Sequence, residues 1–141
     1  MLGSIGPVLD PDAEITVLRD TYSPQLTVLH AEEVDAIILE TFASSQQAFE
    51  VTRLSKEIAP DTAVVVQLSL DEAANTASTF PAASELVAVA VEKGADVLGV
   101  NCSSPWDVES FIDEATQTET VQTGKLLLSA MPNAGGFRGI G

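Results

Sequence analysis

Short apolar runs rich in branched residues recur along the chain between segments of mixed polarity. The continuous apolar character of these runs is typical of strands that are covered on both faces. Four such runs are found at residues 34–39, 63–70, 95–101 and 125–131. We assign residues 1–5 to the end of a further strand, residues 6–20 to a loop and residues 135–141 to a final loop. The pattern therefore predicts five strands.

The segments between the strands have apolar residues at helical spacing. In the clearest segment, four apolar residues share one helical face, at Val108, Phe111, Ile112 and Ala115. Ser104 is suited to cap the start of this helix, Pro105 to its first position, and Asp107 to its positive end. We expect Trp106, in the same first turn, to pack against the protein.

Three further helices are predicted before the last two strands. They cover residues 22–33, residues 44–58 with Ser44 as a cap, and residues 82–93. The third should end at Gly94, because glycine adopts the left-handed conformation that terminates helices. Strands and helices therefore alternate along the chain.

The predicted strands recur every 28 to 32 residues, which is about the length of one βαβ unit. This spacing predicts a parallel sheet, and both the open doubly wound sheet and the (β/α)8 barrel use such units. Polar residues end nearly every strand: Ser4, Glu40 and Thr41, Ser69, Asn101 and Cys102, and Asn133. Because a barrel takes its catalytic groups from the ends of several strands, this distribution favours a partial barrel.

Charge narrows the classes of partner. The chain of 141 residues has 21 acidic and 6 basic side chains, and hence a formal net charge of −15. Without a basic cluster, it would be repelled by nucleic acid and by anionic membrane surfaces, so we expect neither partner. No apolar run is long enough to span a membrane, and residues 1–7 lack the features of a secretory signal. One cysteine allows no internal disulfide, which together with these features predicts a cytoplasmic protein.

Cys102 follows a predicted strand and allows three interpretations. A lone cysteine is most often a small buried hydrophobe, and the functional alternatives are a thiolate ligand for zinc and a nucleophile. The nucleophile is the weakest interpretation, because the only histidine, His30, lies in a predicted helix where we expect it to face solvent.

Glu40 ends another predicted strand. It is either an exposed acid that begins a loop or a carboxylate that pairs with a substrate ammonium group. Ser4 lies in a glycine-rich segment whose hydroxyl and backbone amides suit a carboxylate ligand. Asn133 follows the last strand, where a plain turn is the simpler interpretation.

Four segments, taken in order, resemble successive strand ends of the homocysteine S-methyltransferase family. They are Gly-Ser-Ile-Gly-Pro at 3–7, Ile-Leu-Glu-Thr-Phe at 38–42, Gly-Ala-Asp-Val-Leu-Gly-Val-Asn-Cys at 94–102 and Met-Pro-Asn-Ala-Gly at 131–135. This family includes the homocysteine-binding module of cobalamin-dependent methionine synthase and the betaine-dependent enzyme. The resemblance implies a (β/α)8 barrel, of which residues 1–141 would form one incomplete domain with about strands three to seven.

The resemblance also implies roles for single residues. Cys102 matches the first of three zinc-binding cysteines, and Glu40 matches the glutamate that holds the amino group of homocysteine. Ser4 lies in the motif that approaches the amino-acid end of the substrate, and Asn133 in the motif beside the metal. The implied reaction is transfer of a methyl group to a zinc-bound homocysteine thiolate, which gives methionine. No catalytic residue is assigned.

The chain also departs from the family pattern. The other two zinc-binding cysteines belong to a Gly-Gly-Cys-Cys segment at the eighth strand, which has no counterpart here, and strands one and two are missing. We therefore expect a fragment of a longer gene product, which by itself neither binds zinc tightly nor turns over substrate. Methylcobalamin, betaine and S-methylmethionine all suit the implied reaction as donors, and a fused folate or cobalamin module in the parent protein is compatible with it.

Two alternatives come from other functional classes. A non-catalytic α/β module, complete with five strands, would use the same strand ends to bind a ligand or a partner. A flavodoxin-like nucleotide binder would need a phosphate-binding loop, which the sequence lacks.

Overall fold

The computed structural model of the protein describes residues 1–10, 12–70 and 80–134. The strands are β1 (Leu2–Ile5), β2 (Ala36–Phe42), β3 (Ala63–Leu68), β4 (Val97–Asn101) and β5 (Leu127–Met131). The helices are α1 (Ile15–Ala31), α2 (Ser45–Ile58), α3 (Ala83–Lys93), α4 (Pro105–Ala115) and the short α5 (Glu119–Gln122). Each predicted strand is confirmed, with bounds that differ by one to three residues.

The described strands form a single parallel sheet in the order β1-β2-β3-β4-β5. An open doubly wound sheet reverses its strand order at a switch point, whereas each strand here lies beside the one before it. Helix α1 packs on α2, α2 on α3 and α3 on α4, so consecutive helices lie side by side on one face. Sequential strands beneath a row of helices are the arrangement of a (β/α)8 barrel, and the predicted partial barrel is confirmed.

The two faces of the sheet differ in burial. A side chain at Gly3 would collide with α1, since an added Cβ would lie 2.9 Å from Leu29 Cδ1. Gly3 therefore faces the helices, and Ser4 faces the opposite side, which we call the inner face. Leu39, on the helix side, is fully buried, whereas Leu127, on the inner face, is 59% exposed. The core lies between the sheet and the helices.

Local sequence signals explain how three helices begin or end. Ser44 Oγ accepts a hydrogen bond from the Gln47 backbone N–H at the start of α2, and Ser104 Oγ accepts one from Asp107 at the start of α4. Helix α3 ends at Gly94, whose φ of +92° suits glycine alone. These caps confirm the predicted helix boundaries. Within the described residues, no helix combines the length and the apolar character needed to cross a bilayer.

The prediction was wrong at the first helix. Helix α1 begins at Ile15, seven residues before the predicted start, so the predicted loop over residues 6–20 is helical in its last part. The residue before it, Glu14, makes no side-chain capping hydrogen bond, and Pro24 lies inside the helix. Sequence patterns do not predict this start, because it lacks a capping side chain and because proline usually interrupts a helix. The short α5 was not predicted, and the predicted loop over residues 135–141 lies outside the described part of the chain.

Candidate active site

A bulge shapes the carboxyl end of β2. Leu39 pairs with Val66 and Phe42 pairs with Leu68, so β2 has one residue more than β3 between these two pairs. Thr41, within the bulge, has a φ of +62°, which is rare for a β-branched residue. Bulges occur beside active sites, where they redirect side chains. The sequence alone gave no sign of this one.

Glu40 lies in the same bulge and is exposed. Its carboxylate has neither a hydrogen bond nor an ion pair with another described residue. No described segment that follows a strand contains a lysine or arginine. The described lysines and arginines lie on helices or precede a strand: Arg19, Arg53, Lys56, Lys93 and Lys125. Within residues 1–10, 12–70 and 80–134, no cation occupies the Glu40 carboxylate, which suits it to pair with a cationic ligand.

Cys102 follows β4 directly and is exposed, so its interpretation as a buried hydrophobe is wrong. Its φ is +50°, and its Sγ accepts a hydrogen bond from Thr41 Oγ1 over 3.6 Å. His30 is exposed, as expected, in the last turn of α1. That turn leads back to the amino end of β2, at the opposite end of the sheet from Cys102, so the histidine is not placed to act as its base.

Hydrogen bonds connect four neighbouring strand ends around Cys102. Asn101 Nδ2 donates to Thr41 Oγ1 over 2.9 Å, which joins β4 to the bulge of β2. Ser103 Oγ accepts from the backbone N–H of Leu70, after β3, over 2.8 Å. The backbone N–H of Asn133, after β5, donates to the Ser103 carbonyl over 2.9 Å. The segments that contain Glu40, Cys102 and Asn133 thus meet at one edge, although the Asn133 side chain is exposed.

Ser4 lies near the end of β1, exposed on the inner face and in register with Ile38. Tyr22 fixes the loop that follows. Its hydroxyl accepts a hydrogen bond from the Val8 N–H over 2.8 Å and donates one to the Gly6 carbonyl over 3.1 Å. Burial raises the pKa of Tyr22, and the hydrogen bond from Val8 partly offsets this shift. Sequence reasoning missed this residue, although it is the only tyrosine in the chain.

Comparison with protein families gives a match over residues 1–139 to the model that describes homocysteine S-methyltransferases. The chain belongs to the homocysteine S-methyltransferase family. No curated protein matches it by sequence.

A solved structure shows the same fold. It is the apo form of the homocysteine methyltransferase MmuM from Escherichia coli, with a TM-score of 0.67 and 12% sequence identity. The match covers 95% of this chain and 57% of that one, so this member of the family spans little more than half the length of the solved enzyme.

Buried amide groups line the inner face below the strand ends of this methyltransferase-family chain. Gln67 Nε2 donates to Ser129 Oγ over 2.8 Å, across Gly99 of the intervening strand. A side chain at Gly99 would collide there, because an added Cβ would lie 2.3 Å from the Ser129 carbonyl oxygen. Gln67 Oε1 and Asn101 Oδ1 are buried and have no partner among the described groups. Polar groups thus fill the inner face near the ends of β3, β4 and β5.

The described residues provide one candidate ligand for the zinc ion that the family resemblance implies. Within residues 1–10, 12–70 and 80–134, no three histidine, cysteine, aspartate or glutamate side chains are grouped so that they could hold a metal ion. Cys102 is exposed and suits a single thiolate ligand. A tetrahedral site needs more, so the described residues do not fit a complete zinc centre.

Trp106 differs from its expected environment. It was expected to pack against the protein, but its side chain is 58% exposed in the first turn of α4. The apolar face of α4 is turned to the core through Val108, Phe111 and Ala115, and position 106 lies off that face. The exposed indole therefore lies only a few residues beyond Cys102.

Proposed function

We propose that this chain forms the homocysteine-binding side of a zinc-dependent S-methyltransferase that converts homocysteine to methionine. The observation that carries the proposal is the arrangement of Glu40, Thr41 and Cys102. The first two lie in one bulge, and the Thr41 hydroxyl contacts the Cys102 sulfur over 3.6 Å. The residues proposed to bind the ammonium group and the metal thus belong to two segments that contact each other at one edge of the sheet.

Glu40 would bind the α-ammonium group of homocysteine. It is exposed, and no basic side chain of the described strand-end segments competes for its charge. Hydrogen bonds between charged partners contribute about 1.5–3 kcal/mol, more than neutral ones. This residue would therefore select an amino acid over a simple thiol.

Cys102 would be one thiolate ligand of zinc, with further ligands from outside the described residues. Zinc supplies the stabilisation that keeps a thiol deprotonated at neutral pH. In the proposed transfer, the homocysteine sulfur forms a bond to the methyl carbon, and the donor leaves with the electron pair of the broken bond. Methylcobalamin, betaine and S-methylmethionine all satisfy this balance.

Two further residues complete the proposed site. Ser4 is exposed near the end of the strand next to β2, which suits contact with the amino-acid end of the substrate. Asn133 would lie beside the metal, because its backbone is bonded to Ser103, the residue after Cys102. The hydrogen-bonded Tyr22 would hold the loop after Ser4 in place.

The role of the carboxylate is tested with ligands that lack one group each. Calorimetry would compare L-homocysteine with 4-mercaptobutanoate, which lacks the ammonium group, and with 2-aminobutanoate, which lacks the thiol. We expect loss of the ammonium group to weaken binding about tenfold or more. Equal affinity for homocysteine and 4-mercaptobutanoate would refute the role of Glu40.

Zinc content tests whether the metal site is incomplete in this chain. Because Cys102 is the only cysteine in the chain, we expect metal analysis of the purified monomer to give far less than one zinc per chain. Near-stoichiometric zinc in the monomer would contradict the expected incomplete site.

A further inference from the structure

Two strained residues face each other at the proposed site. Thr41 and Cys102 have φ values of +62° and +50°, in the left-handed region that side chains with a Cβ disfavour. They lie at the ends of β2 and β4, on either side of β3. Such strain persists only where the surroundings enforce it, and it concentrates at functional sites. The shared strain indicates that the arrangement of this pair is itself important.

The direction of the Thr41 hydroxyl is set by its neighbours. Asn101 Nδ2 donates to Thr41 Oγ1 over 2.9 Å, so this oxygen acts as an acceptor on that side. The single hydroxyl proton is left for another partner, and it points to Cys102 Sγ over 3.6 Å. Asn101 belongs to β4 and is only 8% exposed, so the donor that orients the hydroxyl is packed within the protein.

The buried amide of Asn101 is also not fully satisfied. Its Oδ1 has no hydrogen-bond partner among the described groups, whereas its Nδ2 is used on Thr41. A buried unpaired acceptor is unfavourable. The site tolerates it together with two strained backbones, and all three features centre on the contact between Thr41 and Cys102.

We propose that Thr41 is a positioning residue, which holds the Cys102 side chain in one rotamer so that its sulfur points in a fixed direction before any ligand binds. A fixed ligand side chain needs no reordering when a metal or substrate arrives. The proposal deepens the proposed function and rests on it for the use of the sulfur. The orientation of the Cys102 side chain is a property of the chain without ligand, and it is measured on the chain without ligand.

The test is the rotamer of Cys102 in solution. Because the chain has one cysteine, labelling cysteine with ¹³C at Cβ gives a single side-chain signal, whose couplings between Hα and Hβ report the χ1 rotamer. We expect the couplings of a single staggered rotamer in the wild type and in Thr41→Ser, which keeps the hydroxyl. In Thr41→Ala, we expect averaged couplings.

Thr41→Gly separates positioning from folding. Glycine removes the hydroxyl but tolerates a positive φ, so relief of the backbone strain should offset part of the cost of leaving Asn101 Nδ2 without its acceptor. We expect this variant to unfold cooperatively in urea and to lose the fixed rotamer. Thr27→Ala, at an exposed position of α1, is the matched control and should change neither property. Averaged couplings in the wild type, or a fixed rotamer in both Thr41→Ala and Thr41→Gly, would overturn the proposal.

The proposed function and the positioning role of Thr41 can fail independently of each other. If Cys102 is fixed by Thr41 but homocysteine does not bind, the positioning role stands and the substrate assignment is wrong. If homocysteine binds through Glu40 while Cys102 remains fixed in both Thr41→Ala and Thr41→Gly, the substrate assignment stands and the positioning role is wrong.

Discussion

The two ends of the sheet satisfy their polar groups in different ways. At the amino end of β4, Asp96 Oδ2 accepts hydrogen bonds from Lys56 Nζ over 2.9 Å and from the Val64 N–H over 2.8 Å. At the carboxyl end, Glu40 has no partner among the described residues, and Thr41 is strained. In parallel α/β barrels, the amino end serves stability and the carboxyl end serves function. The contrast therefore supports the proposal that the end with unpaired and strained groups binds the substrate.

Glu40→Gln should give the largest effect and confine it to ligand binding. Loss of the charge should weaken homocysteine binding about 10- to 100-fold, since a charge-assisted hydrogen bond contributes about 1.5–3 kcal/mol. The free energy of unfolding should change by less than about 0.5 kcal/mol, because the side chain is exposed. Isothermal titration calorimetry and urea denaturation measure the two quantities.

Glu109→Gln is the matched control for that substitution. Glu109 is an exposed acid on α4, so its replacement makes the same change in net charge at a distance from the bulge. If both variants weaken homocysteine binding equally, the effect is one of overall charge and the role of Glu40 is refuted.

Asp96→Ala should lower stability and leave homocysteine binding nearly unchanged, which is the opposite of Glu40→Gln. It removes a partner of Lys56 and leaves the Val64 N–H without its acceptor, so the free energy of unfolding should fall by about 1–3 kcal/mol. Homocysteine affinity should stay within about twofold, because the change lies at the other end of the sheet. The nearby Asp61, exposed in the loop before β3, is the control, and Asp61→Ala should leave stability unchanged. A loss of affinity in Asp96→Ala would contradict the separation of the two ends.

Tyr22→Phe tests the loop after β1 and should give the smallest effect at neutral pH. It removes the hydrogen bonds to Val8 and Gly6 and should cost about 1 kcal/mol. Since burial raises the pKa of Tyr22 above its ordinary value of 10.0, the folded state holds the phenolic proton more tightly than the unfolded state. The wild type should therefore keep this contribution below pH 10 and lose it as pH rises through the folded pKa.

Tyr22→Phe lacks this ionisation, so the stability difference between wild type and variant should shrink as pH rises from about 10 towards the raised pKa of the folded state. Urea denaturation of both proteins over that range measures it. A difference that stays constant would show that the raised pKa of Tyr22 does not contribute to stability.

The sequence predicted the parts of the fold that depend on local pattern. Apolar runs indicated four of the five described strands, and the caps at Ser44 and Ser104 and the terminator Gly94 marked three helices. The start of α1 was not predicted, because Glu14 forms no side-chain cap and because a proline such as Pro24 usually interrupts a helix. Tertiary packing, through buried residues such as Leu18, stabilises this helix instead.

The candidate site was predicted by residue type but not by geometry. Strand-end positions indicated Glu40 and Cys102, and both lie at the predicted edge of the sheet. The bulge that gives Thr41 its positive φ depends on how β2 pairs with β3, which no local pattern encodes. The exposure of Cys102 likewise depends on tertiary structure, and the hydroxyl of Tyr22 acts across 14 residues of chain.

Chemical-shift mapping with L-homocysteine tests the central claim most directly. The ligand would be added to the ¹⁵N-labelled chain while its backbone amide signals are followed. We predict saturable shifts at residues 40–42 and 101–103, with the amides of Lys56, Val64 and Asp96 unchanged. A response centred on those three residues at the amino end, or no saturable response at the carboxyl end, would contradict the account.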